Sequence, residues 1–192
     1  MPTSNVQTSC SNLQFTTLYT TKAPQNRTIH TSLPKMAAPG QKEEPWYAAF
    51  GEPKARVGSV PAETVLAALE AQPLGAVTTH RRFLLVDVRR TDWEGGTIAS
   101  SINLPAQTLY QTRPIIYQLC KQAGVEQVIF YCGSCQGRGP RAAGWMQDYL
   151  DEVDEKGIKS VYLEGGIKGW VKAYGSRGME WFDEQAWPDA KK

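Results

Sequence analysis

Cysteine is scarce in this chain of 192 residues, which has four cysteines: Cys10, Cys120, Cys132 and Cys135. So few cysteines do not suit a disulfide scaffold, and no segment near the start has the apolar core of a secretory signal. We therefore expect free thiols in a reducing compartment, the cytoplasm in the first instance. No metal site is expected, because the cysteines and histidines outside positions 132 and 135 lack the paired spacing of zinc ligands.

Long apolar runs and an excess of one charge are also missing. The longest apolar stretches, such as Phe83 to Val86, have the length of a strand and fall far short of the roughly 20 residues that cross a bilayer. The chain carries 21 basic and 19 acidic residues, a net charge of +2. Such a balance provides no large field to steer nucleic acid, so neither a nucleic acid nor a membrane is an expected partner. The oligomeric state is not determined by these features.

The N-terminal region has no carboxylate before Glu43 and is dense in serine and threonine. Residues 1–45 cannot build a core, and two interpretations stay open. The first is a disordered leader, absent from forms whose translation starts at Met36. The second is a mitochondrial presequence over residues 1–36, because residues 27–32 (Arg-Thr-Ile-His-Thr-Ser) resemble arginine-led processing sites. The second interpretation would move the expected location from the cytoplasm to the mitochondrion.

From Trp46 onward the composition becomes globular, and segments typical of strands and helices alternate. An apolar content of 41% is enough to fill one core, so we expect one domain over residues 46–180. Residues 181–192 form a tail that either packs back or remains free. The pattern predicts strands at 82–88, 98–104, 128–131 and 161–163, and helices at 61–72, 114–122 and 139–154. This alternation predicts an α/β fold with a central parallel sheet flanked by helices.

The loop from Cys132 to Arg138 joins a predicted buried strand to a predicted helix, the place where open α/β sheets bind their ligands. Glycines at 133, 137 and 139 free the backbone, so successive N–H groups can turn inward and form an anion-binding nest. The following helix N-terminus adds positive potential. The predicted oxyanion-binding residues are Gly133, Ser134, Cys135, Gln136 and Gly137.

Two side chains of this loop carry the predicted chemistry. The nest and the helix N-terminus stabilise negative charge, so the pKa of Cys132 should fall and its sulfur should be a thiolate near neutral pH. Arg138 follows after five intervening residues, and its planar guanidinium can grip two oxygens of a tetrahedral oxyanion. We therefore predict Cys132 and Arg138 as the catalytic residues.

Cys135 forms a Cys-X-X-Cys pair with Cys132 at the start of a helix, an arrangement typical of dithiol oxidoreductases. It is a candidate resolving thiol that closes a reversible disulfide with Cys132. The alternative is a small, partly buried residue that only fills the loop. The sequence leaves both interpretations open.

Four motifs in order resemble those of rhodanese domains: Leu85–Arg89 (Leu-Val-Asp-Val-Arg), Glu94–Ile98 (Glu-Gly-Gly-Thr-Ile), Ile102–Pro105 (Ile-Asn-Leu-Pro) and Leu163–Trp170 (Leu-Glu-Gly-Gly-Ile-Lys-Gly-Trp). The Cys-X5-Arg loop followed by Gly-Pro-Arg is similar to that of the cell-division-cycle dual-specificity phosphatases and the eukaryotic arsenate reductases. Ordinary rhodanese sulfurtransferases have a loop one residue shorter. The resemblance therefore implies a rhodanese-like fold with phosphate or arsenate chemistry.

The loop departs from that pattern in two places. Tyr131 stands where the phosphatases and reductases typically have histidine, and Gly133 stands where the cell-cycle phosphatases have a glutamate. Without an acid, expelling an alkoxide is harder, because general acid assistance contributes about 100-fold or more. Asp92 and Glu94 lie on a nearby loop and are as consistent with exposed charges as with proton donors.

Several neighbouring residues are expected to be structural. The resemblance implies that Asp87 fixes the active loop by hydrogen bonds without itself reacting. Arg89 is expected to pair with a surface carboxylate such as Asp92 or Glu94. Arg141 is expected by default to face solvent, and the alternative is that it adds a second positive charge at the pocket rim. The Gly165-Gly166 pair is expected to serve only a chain reversal.

These observations favour a cysteine-dependent oxyanion enzyme, a phosphatase or an arsenate reductase, acting on a small oxyanion or a phosphorylated substrate. The first alternative is a sulfurtransferase that carries a persulfide on Cys132. The second is a non-catalytic module that binds an anion or senses oxidation. No cofactor is expected, apart from glutathione as a reductant or thiol acceptor.

Overall fold

The structure, a computed structural model, describes residues 44–71 and 81–188. The predicted leader therefore lies outside the described residues, apart from its last two positions. None of the described helices combines the length and the apolar character that a membrane crossing requires.

Seven strands are described: β1 (Ser59–Val60), β2 (Phe83–Asp87), β3 (Thr97–Ile98), β4 (Ile102–Asn103), β5 (Gln127–Tyr131), β6 (Lys159–Leu163) and β7 (Met179–Glu180). Five of them form a parallel sheet in the order β1-β6-β5-β2-β4, while β3 and β7 form a separate antiparallel pair. The central strands β2 and β5 pair along their whole length, from Phe83 opposite Gln127 to Asp87 opposite Tyr131. Their apolar side chains are buried from Leu85 in β2 and from Val128 in β5 onward, as expected for a parallel sheet covered on both faces.

Four α-helices flank the sheet: α1 (Ala62–Ala71), α2 (Ala106–Ala123), α3 (Arg138–Glu152) and α4 (Gly166–Tyr174). Two short 3-10 helices, Ala48–Phe50 and Glu184–Ala186, lie in the flanking segments. Strands that alternate with helices around a parallel sheet confirm the α/β, rhodanese-like fold predicted from the sequence.

Two predicted elements are wrong. The predicted strand at 98–104 is two strands separated by a turn, in which Ser100 has a φ of +61°. β3 pairs with β7 and β4 pairs with β2, so the chain moves from the small sheet to the large one within this segment.

The predicted helix at 114–122 in fact begins at Ala106, and Pro114 lies inside it. A proline there lacks the N–H that would bond to the carbonyl of Tyr110. That carbonyl instead accepts a hydrogen bond from Nε of Arg113 at 2.7 Å. Leu109, Ile116 and Cys120 are buried along the same helix, so core packing holds the helix together across the proline.

The segment before β1 packs on α3. Nε1 of Trp145 donates to the carbonyl of Gly51 at 3.0 Å. The carboxylate of Asp148 accepts hydrogen bonds from the backbone N–H groups of Lys54 at 2.9 Å and Ala55 at 2.7 Å. This anchoring brings the preceding residues, among them Tyr47, to the side of the domain that holds the predicted catalytic loop.

Candidate active site

The predicted catalytic loop lies at the carboxyl edge of the parallel sheet. β5 ends at Tyr131, Cys132 follows directly, and α3 begins at Arg138. The loop borders an open pocket of about 560 Å³, lined by Tyr47, Asp92, Cys132, Gly133, Ser134, Gln136, Gly137, Arg138, Arg141 and Lys168. Both predicted catalytic side chains therefore meet at one pocket.

The surroundings of Cys132 stabilise its sulfur as an anion. Cys132 is only 4% exposed, and its pKa is lowered from 9.0 to about 6. The largest cause is a hydrogen bond from the thiol of Cys135, followed by those from the backbone N–H groups of Gly139 and Cys135 and by the charge of Arg138. Burial opposes these effects but does not cancel them. Near neutral pH, Cys132 is mostly the reactive thiolate.

Arg138 does not fold across the loop in the structure. Its guanidinium forms a bidentate pair with the carboxylate of Asp92, with Nη1 at 2.7 Å from Oδ1 and Nη2 bonded to Oδ2. Both side chains line the pocket. Because Nη1 and Nη2 both bond to Asp92, an oxyanion bound over Cys132 would compete with Asp92 for Arg138.

The same ion pair decides the protonation state of Asp92. The hydrogen bond from Arg138 holds the pKa of this carboxyl well below its usual range. Asp92 is thus a carboxylate at any pH near neutrality and has no proton to donate in this arrangement. The geometry supports a role in positioning Arg138 and does not support one as a general acid.

The N-terminus of α4 holds the backbone of the catalytic loop from the side. The N–H of Ile167 donates to the carbonyl of Cys132 at 3.0 Å, and the N–H of Lys168 donates to the carbonyl of Gly133 at 2.9 Å. Gly166 has a φ of +58°, and a Cβ there would lie 2.6 Å from the carbonyl oxygen of Gly133. This glycine therefore allows the close approach of α4, a role beyond the expected chain reversal.

Asp87 and Arg89 form a buried ion pair beneath the site. They are 0% and 1% exposed, and Nη2 of Arg89 lies 2.6 Å from Oδ2 of Asp87. The same nitrogen donates to the carbonyl of Gly96 at 2.6 Å, and Oγ1 of Thr97 donates to Asp87 at 3.1 Å. Asp87 thereby organises residues 89–97, the loop that carries Asp92.

The expectation of a surface pair for Arg89 is wrong, because its partner is the buried Asp87. A signal for this was present in the sequence. An acid at the end of a fully apolar strand needs a nearby cation once both are buried, and Arg89 is two residues away. The Asp87 carboxylate accepts hydrogen bonds from Arg89 and Thr97. Asp87 therefore acts on the catalytic loop indirectly.

Tyr131 points away from the pocket. Its hydroxyl lies 2.6 Å from Oγ1 of Thr97, accepts from the N–H of Ile98 at 3.2 Å and donates to Oγ of Ser101 at 2.8 Å. Burial, with the charge of Asp87, raises the pKa of this phenol well above its usual range. Tyr131 therefore ties β5 to the turn after β3 and gives the thiolate no direct support.

The rim of the pocket also includes residues outside the catalytic loop. Arg141 stacks on the ring of Tyr47, with 3.6 Å between Cζ and the ring centroid, and also pairs with Glu52 at 3.3 Å. The default expectation that Arg141 faces solvent is therefore wrong, and its alternative place at the pocket rim is the one observed. Lys168 of α4 lines the pocket as well. Sequence reasoning missed Tyr47 and Lys168, because both are far from the loop in sequence and the spacing within the loop could not identify them.

The C-terminal segment packs back onto the loop that carries Asp92. Nε1 of Trp187 donates to the carbonyl of Gly95 at 2.7 Å, and β7 pairs with β3. Trp187 also borders a smaller pocket of about 310 Å³ that shares Asp92, Gly133 and Lys168 with the first. Of the two outcomes left open for the tail, the described residues 181–188 show the packed one.

Comparison with known proteins agrees with this architecture. Residues 66–173 match the family model of the rhodanese-like domain. The chain is 34% identical over 110 residues to the CDC25-like phosphatase YCH1 of Saccharomyces cerevisiae, spanning 53% of this chain and 74% of that protein. It is 30% identical over 105 residues to Arsenical-resistance protein 2 of the same yeast, spanning 50% and 80%.

Solved structures give the same result. Ygr203w, described as a yeast protein tyrosine phosphatase of the rhodanese family, superposes with a TM-score of 0.57 at 28% identity, over 69% of this chain and 98% of that one. An As-Sb reductase from Leishmania major shares the fold, with a TM-score of 0.53 at 18% identity, over 62% and 80%. The chain belongs to the rhodanese-like domain family, among relatives named as phosphatases and as an arsenical-resistance protein.

Proposed function

We propose that this protein is a cysteine-dependent oxyanion enzyme of the phosphatase or arsenate reductase type. The observation that carries the proposal is the buried Cys132, with its lowered pKa, in a pocket that also contains the guanidinium of Arg138. The names of the yeast relatives, a CDC25-like phosphatase and an arsenical-resistance protein, support the same two reaction types.

The reaction begins with exchange of partners at Arg138. An incoming tetrahedral oxyanion takes the guanidinium from Asp92, while backbone N–H groups of residues 133–138 hold its remaining oxygens. The thiolate of Cys132 then attacks the phosphorus or arsenic atom and forms a covalent adduct. The positive charge of Arg138 stabilises the charge that develops on the oxygens.

The available acids restrict the substrate. Among the described residues that line the pocket, Asp92 is the one carboxylic acid. It is ionised while it is paired with Arg138, and its ordinary pKa of 3.8 keeps it mostly ionised near neutral pH after a substrate has taken Arg138. Alkyl phosphates, whose leaving groups need a proton, are therefore poor substrates. Aryl phosphates need less help, because a phenolate leaves more readily than an alkoxide. Arsenate carries its own hydroxyl groups, and one of them leaves as water once solvent has protonated it.

The same proposal specifies what else takes part. The proposed chemistry needs no metal ion, and glutathione is the proposed external reductant that returns the enzyme to its thiol form after arsenate reduction. Because Cys132 must stay reduced to react, we propose that the protein works in a reducing compartment such as the cytoplasm.

The test compares the full chain with its Cys132→Ser variant on three reactions: aryl phosphate hydrolysis, arsenate reduction with glutathione, and sulfur transfer from thiosulfate to cyanide. Cys120→Ala is the matched control, because Cys120 is buried in α2 away from the pocket. We expect turnover of an oxyanion by the wild type and the control, and loss of at least about 1,000-fold in Cys132→Ser. Turnover of thiosulfate alone would support the sulfurtransferase. No turnover in any of the three reactions would support a binding or sensing module.

A further inference from the structure

The two cysteines of the loop are in direct contact. The backbone N–H of Cys132 donates a hydrogen bond to Sγ of Cys135 at 3.3 Å. The thiol of Cys135 in turn donates a hydrogen bond to the sulfur of Cys132. They are 4% and 6% exposed, so bulk water competes little with this contact. A second thiol therefore lies directly beside the nucleophile.

The loop is shaped around the sulfur of Cys135. Cys135 has a φ of +53°, a conformation that costs a non-glycine residue free energy. Directly across from it, a Cβ on Gly139 would lie 2.7 Å from Sγ of Cys135. A residue that only fills space would need neither the unfavourable backbone nor a glycine at the start of α3. Both features favour a chemical role for this sulfur.

The two thiols also differ in access. Cys132 lines the pocket, whereas Sγ of Cys135 lies behind the loop, between the N–H of Cys132 and Gly139. A substrate entering the pocket thus reaches Cys132 first. Cys135 approaches the same sulfur from the side away from the pocket, which suits displacement of a group that Cys132 carries into the pocket.

We propose that Cys135 is the resolving thiol of an arsenate reduction, in which the loop itself supplies both electrons and closes a Cys132–Cys135 disulfide. This inference rests on the proposed function, because it needs an arsenate adduct on Cys132. It deepens that function by selecting arsenate as a substrate and by assigning the second thiol.

The Cys132 thiolate forms an S–As bond with arsenate, and the As–O bond to one arsenate hydroxyl group breaks. That hydroxyl group takes a proton from solvent and leaves as water. The sulfur of Cys135 then attacks the sulfur of Cys132, and its proton passes to an oxygen on arsenic. The S–As bond breaks with its electron pair on arsenic, so As(V) becomes As(III) and leaves as arsenite. Two thiols have become one disulfide, which an external thiol, such as glutathione or a protein dithiol, must reduce before the next cycle.

The neighbouring charges are consistent with this order of events. While Cys132 is a thiolate, its hydrogen bond and its charge, together with burial, raise the pKa of Cys135 and keep that thiol protonated. Formation of the adduct removes the negative charge from the sulfur of Cys132. The pKa of Cys135 is then lower than beside the thiolate, although burial still raises it, so Cys135 gives up its proton as it attacks.

The test is a single turnover without external thiol. The reduced full chain is mixed with excess arsenate, arsenite is counted, and the disulfide is located by mass spectrometry after acid quench and alkylation. We expect about one arsenite per chain and a peptide linking Cys132 to Cys135. Cys120→Ala should behave like the wild type. Cys135→Ser should release less than about a tenth of that arsenite, and added glutathione should restore release.

Three results would overturn the inference. The first is stoichiometric arsenite release by Cys135→Ser without thiol, and the second is arsenite release by the wild type with no Cys132–Cys135 link. The third is no arsenite from the wild type although an aryl phosphate still labels Cys132, which rejects the resolving role and leaves the proposed function standing. If neither arsenate nor aryl phosphate reacts with Cys132, the proposed function fails too. Should Cys135→Ser not fold, the disulfide map of the wild type decides the question.

Discussion

The guanidinium of Arg138 and the carboxylate of Asp92 form a bidentate pair at the edge of the pocket, with Nη1 and Oδ1 2.7 Å apart. Asp92 thus occupies N–H donors of the Arg138 guanidinium that an oxyanion could use. The two side chains are 29% and 47% exposed, so solvent screens the pair and its strength is moderate. The pair is strong enough to position Arg138 and weak enough to be exchanged for a substrate.

Replacing Asp92 tests this competition. We expect Asp92→Asn to bind inorganic phosphate or arsenate about threefold to tenfold more tightly, because the anion no longer displaces a carboxylate from Arg138. Competitive inhibition of aryl phosphate hydrolysis measures the change. Glu126→Gln, which removes a surface carboxylate paired with Arg82, is the control of equal charge. A loss of turnover of about 100-fold in Asp92→Asn, with unchanged anion binding, would instead identify Asp92 as a general acid.

The reactivity of Cys132 should follow pH with a low midpoint. Its folded-state pKa of about 6 lies below the ordinary value of 9.0. The rate of alkylation by iodoacetamide should therefore rise as pH increases through about 6 and level off above about 7.5. Mass spectrometry identifies the labelled residue, with Cys132→Ser as the blank. Cys120, whose pKa burial raises to about 11, should stay unlabelled over the same range. A midpoint above pH 8 would contradict the thiolate.

The low pKa also has a consequence for stability. A thiol whose pKa is lower in the folded protein stabilises the fold fully above its unfolded pKa and loses that contribution as pH falls toward 6. The difference in free energy of unfolding between the wild type and Cys132→Ser should therefore shift in favour of the wild type as pH rises from 6 to 9. Urea denaturation across this range measures the difference, and a flat difference would contradict the shift.

Alanine variants of two glycines with the same φ distinguish the cost of backbone strain from the cost of steric contact. Gly166 and Gly175 both have a φ of +58°, but a Cβ on Gly175 would meet open space. Gly175→Ala should cost about 1–3 kcal/mol of unfolding free energy, because a φ of +58° with a ψ of −127° is a strained backbone conformation for an L-residue. Gly166→Ala should cost about 3 kcal/mol or more, because its Cβ would press on the catalytic loop. Equal losses in urea denaturation would show that α4 can move away freely.

The buried pair of Asp87 and Arg89 should be among the most sensitive points of the fold. Arg89→Gln leaves the carboxylate of Asp87 buried without its cation, which should cost about 3–5 kcal/mol. Arg82→Gln breaks a pair whose side chains are 73% and 54% exposed, and should cost less than about 1 kcal/mol. Thermal and urea denaturation of the two variants provide the comparison. A small loss in Arg89→Gln would mean that water or another group compensates Asp87.

The sequence predicted the parts of the fold that local pattern determines. The buried strands β2, β5 and β6 and the helices α1 and α3 lie where apolar runs and turn residues placed them. The errors occur where tertiary contacts override local preference. Core packing carries α2 through Pro114, and the segment at 98–104 divides because its two halves pair with different strands.

The same distinction applies to the site. Cys132 and Arg138 could be predicted as catalytic residues because they lie on one loop with a recognisable spacing. Asp92 lies on a loop that the sequence already suggested could approach the site. Lys168 and Tyr47 reach the pocket from two other segments, and only the folded chain brings them there. The pairing of Arg138 with Asp92 also could not be predicted, since it depends on the path of residues 89–97 around the buried Asp87.

The central claim is that the thiolate of Cys132 becomes covalently attached to a tetrahedral oxyanion. The most direct measurement mixes the full chain with an aryl phosphate, quenches with acid within milliseconds and maps the phosphorylated peptide by mass spectrometry. We predict a burst of phenol and a phosphate on Cys132, both missing in Cys132→Ser. Turnover of the aryl phosphate with no phosphate on Cys132, or with equal rate in the variant, would contradict the account.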